Sequence, residues 1–412
     1  MESVALALGL LTAAAILGGV ARLTGLPHPS VLVIGGLVLG VVPGIPTVRL
    51  DPQLVLLGFL PPLVYASAFR AADFDLRASV PHILTLAVGL VVVTLAAAAL
   101  VGHYAGGLPW VPAFVLGALV APTDPVSASA IVRRVGAPER IVAILEGEAL
   151  VNDGTGLAAF QVAVAAAAGG FSLVHGIVEF AVISAGGTAV GLGAGWIFVR
   201  LLRRVDGLGA EVGLGLGAAF ASYETAQAAG FSGVLAAVAC GLLVGRSAAR
   251  EPTARTEPVW EGLGHLLESI LFLLIGLQFL PVVHGLPGTT AWTPIGEAAA
   301  VVGAAVVVRF GWMFSVGRVL SSVGRALPAH VERLGRAELG VLGFCGMRGA
   351  LSLAGALSIP LVAAGRPFPA RDEVIFLVYA VVLGTLIVPS LTLERLVRRV
   401  GLARAPRLGP ER

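Results

Sequence analysis

The sequence predicts an all-α polytopic membrane protein with about thirteen transmembrane helices. Three observations predict it. Of its 412 residues 57% are hydrophobic and only 12% are charged, and a mean hydropathy of +0.95 is too apolar for a soluble domain with a solvated surface. The apolar residues fall in runs of about 20 or more, the length that crosses a bilayer as a helix. The 27 basic residues, all arginine, gather in alternate loops between those runs.

Taken in order, the first run, 4–21, follows Glu2 with no basic segment or cleavage site. It is read as a first span and not as a removed signal peptide. Runs at 30–46, 53–69 and 80–104 follow. The fifth, 108–133, holds Asp124 between Pro122 and Pro125. Each proline disfavours helix at the residue before it and removes a backbone donor, so this span must unwind at its middle. Unwound backbone at membrane depth is tolerated inside protein or beside a water-filled cavity, and broken helices are a device of secondary transporters. The sixth, 139–168, is unbroken and carries Asp153 near its middle. Runs at 172–200, 208–227, 231–246, 259–284 and 295–318 lead to the twelfth, 336–364. It reads GVLGFCGMRGALSLAGALSIP, with Gly343, Gly346, Gly349 and Gly355 around Arg348, and 372–396 is last.

Loops after odd-numbered runs, with the C-terminal tail, carry twenty-two of the arginines, and the opposite loops only Arg49, Arg366 and Arg371. The positive-inside rule then puts the N-terminus outside and the C-terminus in the cytoplasm of a multi-pass plasma (inner) membrane protein. Thirteen spans divide as six, a linker and six inverted. The single transmembrane domain, 1–412, is expected to comprise a first repeat 1–168, a linker helix 172–204, a second repeat 208–398 and a short cytoplasmic tail 399–412. The broken fifth span and the glycine-rich twelfth occupy matching places, the mark of an inverted repeat with its site where the two cross. Cys240 and Cys345 each lie in an apolar run, which argues against a disulfide framework or a thiolate metal site. No zinc-type His spacing, P-loop or nucleotide fingerprint occurs, so no cofactor, no catalytic residue and no nucleic-acid partner is expected.

The residues that can carry chemistry are charges at membrane depth, which are expensive and mark ion paths or proton relays. Asp153 shares one face of its helix with Glu146, Ala149, Leu150 and Gly156, while Glu148, Asn152 and Thr155 share another. Removal from water favours a neutral carboxyl and a bound cation favours a charged one. A carboxylate so placed can hold a proton or a metal ion, and that competition is an exchange mechanism. Thr123 and Asp124 add oxygens at the break, with the carbonyls that unwinding frees, and Asp124 also suits the helix end that starts near Pro125. Arg309, near the middle of the eleventh span, and Arg348 need counter-charges. Glu148 is the partner expected for Arg309, as a structural ion pair. Glu268 is a further intramembrane carboxylate; Arg348 and Glu268 are lesser candidates for the site. His265, near the cytoplasmic end of the tenth span, is read as interfacial. Glu179, Glu224 and Glu297 lie nearer span ends, where solvation accounts for them.

The stretch APTDPVSASAIVRRVGAPERIVAILEGEALVNDGTG, residues 121–156, resembles the monovalent cation:proton antiporters of the sodium/proton exchanger (NhaP-type) branch. LPPLVYASAF, FSGVLAAVACGLLVG, ESILFLLIGLQ and GMRGALSLAGALSIP are similar to further blocks of that family, in its order. The resemblance implies a core bundle with two crossed broken helices, a separate interface bundle and a homodimer. It implies secondary active exchange of protons for Na⁺, or for K⁺ or Li⁺, by alternating access in the service of pH homeostasis. Carried over, Asp153 is the ion- and proton-carrying carboxylate, Asn152 marks the branch regarded as electroneutral, Thr123 and Asp124 line the site with Asp153 as ligands to the cation, and Glu148 pairs with Arg309. Two departures matter. The family usually has an acid where Ala66 stands and often Ser where Ala149 stands, and both supply ion oxygens in sodium-transporting relatives. Gln227, where Glu is common, is a third difference of peripheral kind. A K⁺-preferring exchanger is the alternative for the ion, since fewer ligands suit a larger ion. An intramembrane aspartyl hydrolase using Asp124 and Asp153 is the remote alternative, and it lacks the GxGD signature.

Overall fold

The computed structural model describes residues 2–43, 54–72, 80–124, 126–169, 173–248, 256–284, 292–323, 334–363 and 365–403. Pro125, the loop arginines Arg49, Arg77, Arg250, Arg255, Arg325 and Arg333, and the tail from 404 lie outside them. Each apolar run falls on a helix or on a pair of helices. The first four are α1 (Glu2–Thr24), α2 (His28–Val41), α3 (Leu60–Ala71, reached through a π-helical turn at Leu54–Phe59), and α4 with α5 (Val80–Leu84 and Val91–Tyr104, joined by a π-helical turn at Thr85–Leu90). The fifth is split into α6 (Trp110–Val120) and α7 (Val126–Arg134). Then come α8 (Glu139–Gly169), α9 (Leu173–Leu202), α10 (Leu208–Ala228), α11 (Gly233–Ala248), the pair α12 and α13 (Glu257–Leu277, Phe279–His284) and α14 (Trp292–Val323). The twelfth is split into α15 (Arg336–Phe344) and α16 (Ala350–Leu357), and α17 (Arg371–Arg399) ends the series. A two-residue antiparallel ladder, Val362–Ala363 with Arg366–Pro367, turns the chain between α16 and α17. Among the described residues six stretches are long and apolar enough to cross a bilayer: 82–104, 139–167, 174–202, 257–284, 294–316 and 371–399. Four shorter apolar helices, 8–24, 28–41, 110–120 and 233–247, accompany them.

The two splits have different local causes. α6 begins after Pro109, which stands at its N-cap, and residues 121–124 leave the helix ahead of Pro125. In the twelfth span residues 346–349, Gly-Met-Arg-Gly, leave the helix. Backbone groups freed at such breaks need partners. The two breaks supply one another: the Asp124 amide donates to the Met347 carbonyl at 2.7 Å.

With lipid as solvent, helices associate through close backbone approach and not through burial of an apolar face. α2 meets α12 this way. Gly36 faces the carbonyl of Leu273 and Gly276 faces that of Val33, each so near that an added Cβ would overlap the oxygen. α9 meets α11 through Gly187 and Gly191, and α11 meets α3 through Gly241 and Gly245. Two groups result. α3, α9, α10 and α11 pack on one another, and α5, α6, α14, α16 and α17 do likewise, with α8 touching both. Large apolar side chains along α1 and α9, among them Ile16, Leu23, Val174, Ile177 and Trp196, face outward, the surface a bilayer requires.

The α2–α12 approach gives a matched test. Gly276→Ala must push a methyl against the Val33 carbonyl, and we expect a loss of ~1–3 kcal/mol. Gly303, in α14, has open space around its Cα, so Gly303→Ala should lie within ~0.5 kcal/mol of the parent. Equal thermal-unfolding midpoints for the two variants in detergent would rule out the contact.

Candidate functional site

Asp153, on α8, looks into a cavity of about 70 Å³ walled by α3, α8, α12, α16 and the 121–124 break. The volume accommodates a partly dehydrated ion with a few waters. Its polar lining is Thr123, Asp124, Asp153, Glu268, Ser67 and Ser352; the rest is mostly Leu, Phe and Ala. Helix periodicity puts Ala149, Leu150 and Asp153 on this wall together, as expected. Glu146, on the same face but nearer the end of α8, instead meets Arg133 at 2.5 Å.

The other face of α8 holds the break in place. Arg309 of α14 donates from Nη1 and Nη2 to Glu148 Oε1 and Oε2, at 2.6 and 3.0 Å. It also donates from Nε and Nη2 to the Leu342 carbonyl, at 3.2 and 3.0 Å. Both side chains are 1% exposed, and a two-pronged guanidinium–carboxylate contact is the strong form of this bond. The Thr123 hydroxyl donates to Glu148 Oε1 at 2.7 Å. Asn152 Nδ2 donates to the Thr123 carbonyl and hydroxyl, both at 2.9 Å. So Glu148 pairs with Arg309 as the sequence suggests, and Asn152 reaches the break. The Thr123 carbonyl thus accepts from Asn152 with one of its two lone pairs.

Asp124 and Arg348 lie at opposite kinds of helix end. The Asp124 carboxylate lies against Gly349, whose missing side chain leaves the room, immediately before α16 begins. It therefore meets the N-terminus of α16 as well as that of α7, where a negative charge is favourable. Arg348, 1% exposed, donates from Nε to the carbonyl of Val120, the last residue of α6, at 3.0 Å, and from Nη1 to that of Gly346, just past α15, at 2.5 Å. Its backbone amide donates to Thr385 Oγ1 at 3.2 Å. The counter-charge expected for Arg348 is met by the negative ends of two half-helices. Gly346 likewise leaves space for the Arg309 side chain, which a Cβ there would overlap.

The two departures separate in space. Ala149 lines the cavity beside Asp153. Ala66 does not: it is fully buried in a cluster with Tyr65, Phe69, Cys240 and Trp260. Of the two alanines only Ala149 lines the cavity, and on α3 it is Ser67, not residue 66, that does so. Gln227 bonds Gln161 at 3.2 Å at an exposed position, peripheral as expected. Glu268 stands on the cavity wall from α12, and His265 is 58% exposed at its side chain. Ser67 and Ser352 were not singled out from the sequence; the available signal was a lone hydroxyl inside an otherwise apolar run.

The Glu148–Arg309 pair yields a double-mutant cycle. Glu148→Ala and Arg309→Ala should each destabilise the protein by ~3–5 kcal/mol, since each leaves a buried charge alone, and the double variant should recover part of the loss. Strict additivity of the three unfolding free energies would show no coupling.

The chain matches the transmembrane sodium/hydrogen exchanger family model over residues 9–399. It is 34% identical over 377 residues to the Na⁺/H⁺ exchanger YjcE of Escherichia coli, covering 86% of this chain and 69% of that protein. It is 32% identical over 384 residues to the Na⁺/H⁺ antiporter ApNhaP of Aphanothece halophytica, covering 92% of this chain and 70% of that one. The structure of the sodium proton antiporter MjNhaP1 from Methanocaldococcus jannaschii at pH 8 superposes with a TM-score of 0.75 at 17% identity, over 98% of this chain and 100% of that chain. It shares the fold.

Proposed function

We propose that Asp153 takes a proton and a monovalent cation in turn, on the premise that this chain belongs to the sodium/hydrogen exchanger family. Proton-coupled exchange of monovalent cations across a membrane is the activity. The observation that carries the residue assignment is the placement of Asp153 on an unbroken helix, opposite the 121–124 break, on the cavity. A bare carboxylate held away from bulk water is costly. With a proton or with a cation it is stable, and the two exclude each other, so each passage across the membrane carries one or the other.

The charge count supports electroneutral exchange. Asp124 lies by helix N-termini and Glu148 is held by Arg309, so we assign neither a share in the exchange. Asn152 cannot titrate. Asp153 then trades one proton for one monovalent cation. Thr123 and Asp124 line the site and Asp153 ligates the ion; no covalent step and no cofactor enters, and the relatives named above are exchangers and antiporters, which favours this reading over the aspartyl hydrolase. Na⁺ is the principal ion, with K⁺ and Li⁺ as further substrates. The hydroxyl-free Ala149 on the cavity wall favours a second reading in which K⁺ is preferred, because a small ion loses more hydration and needs more ligands in return.

The larger arrangement we assign is thirteen spans in a plasma membrane, N-terminus outside and C-terminus cytoplasmic, as two inverted six-helix repeats flanking α9, with the broken pairs α6–α7 and α15–α16 crossing. The hydrogen bond between the two breaks supports the crossing, and the loop arginines support the orientation. The chain works as a homodimer by alternating access.

Asp153→Asn should abolish cation-driven proton flux in reconstituted vesicles while the protein remains folded; robust flux from the purified variant sinks the assignment. Ala149→Ser should lower the half-maximal Na⁺ concentration relative to that for K⁺, read in the same vesicles at one pH. Water fills part of the vacancy in the parent at ~0–2 kcal/mol per ordered molecule, so the change is one of affinity and not of on or off. An unchanged Na⁺/K⁺ ratio would show that residue 149 does not contribute to the coordination shell.

A further inference from the structure

Glu268 has no role in the exchange step just described, yet it stands on the same cavity as Asp153, on the α12 wall. Its residue is 9% exposed. Among the described residues its Oε1 meets no hydrogen-bond partner. A buried carboxylate with an unsatisfied oxygen is costly unless a cation visits it. Its other oxygen points the opposite way along the helix: Oε2 is 3.8 Å from His265 Nδ1, and His265 Nε2 is 3.9 Å from Glu261 Oε1. Glu261, His265 and Glu268 thus form a file on one face of α12. Their side chains are 59%, 58% and 11% exposed, so the file runs from the surface to the cavity.

We propose that Glu268 is the carboxylate that receives the monovalent cation between the surface and Asp153, and that protonated His265 competes with the cation for it. This rests on the reading of Asp153 above. One negative charge at the mouth of a narrow apolar-walled cavity raises the local concentration of cations. An imidazolium beside Glu268 offsets that charge, and a neutral imidazole does not. The other charged or titratable groups around the pair are Glu261 on the same helix, His28 on α2, Arg70 on α3 and, across the cavity, Asp124 and Asp153; Arg22 of α1 stands beside His28.

The test uses the purified full-length chain in vesicles, with Na⁺ and K⁺ as the probes and proton flux as the readout. Glu268→Gln should raise the cation KM by roughly tenfold and leave kcat near that of the parent, the opposite of the flux loss expected at Asp153. Glu268→Asp should fall between. His265→Gln should lower the cation KM below the parent's at about pH 6, under the ordinary imidazole value of about 6.5, and match the parent at about pH 8. In the Glu268→Gln background it should do nothing. A parent-like KM for Glu268→Gln, a loss of kcat at unchanged KM, or a His265→Gln effect equal at both pH values overturns the inference. If Glu268→Gln does not fold, the Glu268→Asp and His265→Gln arms decide it by the same criteria. Absence of cation-driven proton flux in the parent would instead remove the exchange reading itself.

Discussion

The buried contact between Arg309 and Glu148 is the constraint on which the site depends. Two opposite charges, each 1% exposed, tie α14 to α8 in the interior, where loss of hydration offsets much of their attraction. What the pair secures is geometry. Glu148 also takes the Thr123 hydroxyl, so the fixed carboxylate fixes the unwound turn. Asn152 grips the same threonine at two points. Because Asn152 and Asp153 are consecutive on one rigid helix, the grip also sets how Asp153 addresses the cavity.

A second layer of charge compensation comes from helix ends. Two broken spans meeting at mid-depth place four half-helix ends close together, two positive and two negative. Asp124 lies by the positive ends and Arg348 by the carbonyls of the negative ones. Arg348 is thereby satisfied by backbone carbonyls, and Asp124 lies where helix N-termini favour its charge. Of the carboxylates on the cavity, Asp153 and Glu268 are the two placed neither at a half-helix end nor in the Arg309 pair.

The cavity itself is sparing with oxygen. Ala149 lines the cavity without a hydroxyl, and Ala66 is packed away among Tyr65, Cys240 and Trp260. Ser67, Ser352 and Glu268 stand on the lining instead. Ser67 shares α3 with Ala66, while Ser352 and Glu268 bring oxygens from α16 and α12; the apolar remainder of the wall keeps the local dielectric low and each remaining charge strong.

How far the residues alone went follows from the range over which each signal acts. Helix positions, the break at Pro122–Pro125 and the depth of Asp153 are properties of a window of some 20 residues, written in apolar length and in proline's missing donor. The Glu148–Arg309 pairing was also legible, since a charge at membrane depth needs an opposite charge and few were available. The facing of each helix was not. Spans in lipid are apolar all round, so the one-sided pattern that orients a helix in a soluble protein is missing. Rotation is decided by which glycines let backbones approach, as Gly276 against Val33 and Gly241 against Tyr65 do. That rotation turns Ser67 inward and Ala66 away, brings Glu268 to the cavity wall, and gives Arg348 carbonyls where the sequence suggested only a need for charge. Contacts between residues 120 and 348, or 148 and 309, are set by helices meeting far apart in the chain, and only the tertiary structure decides them.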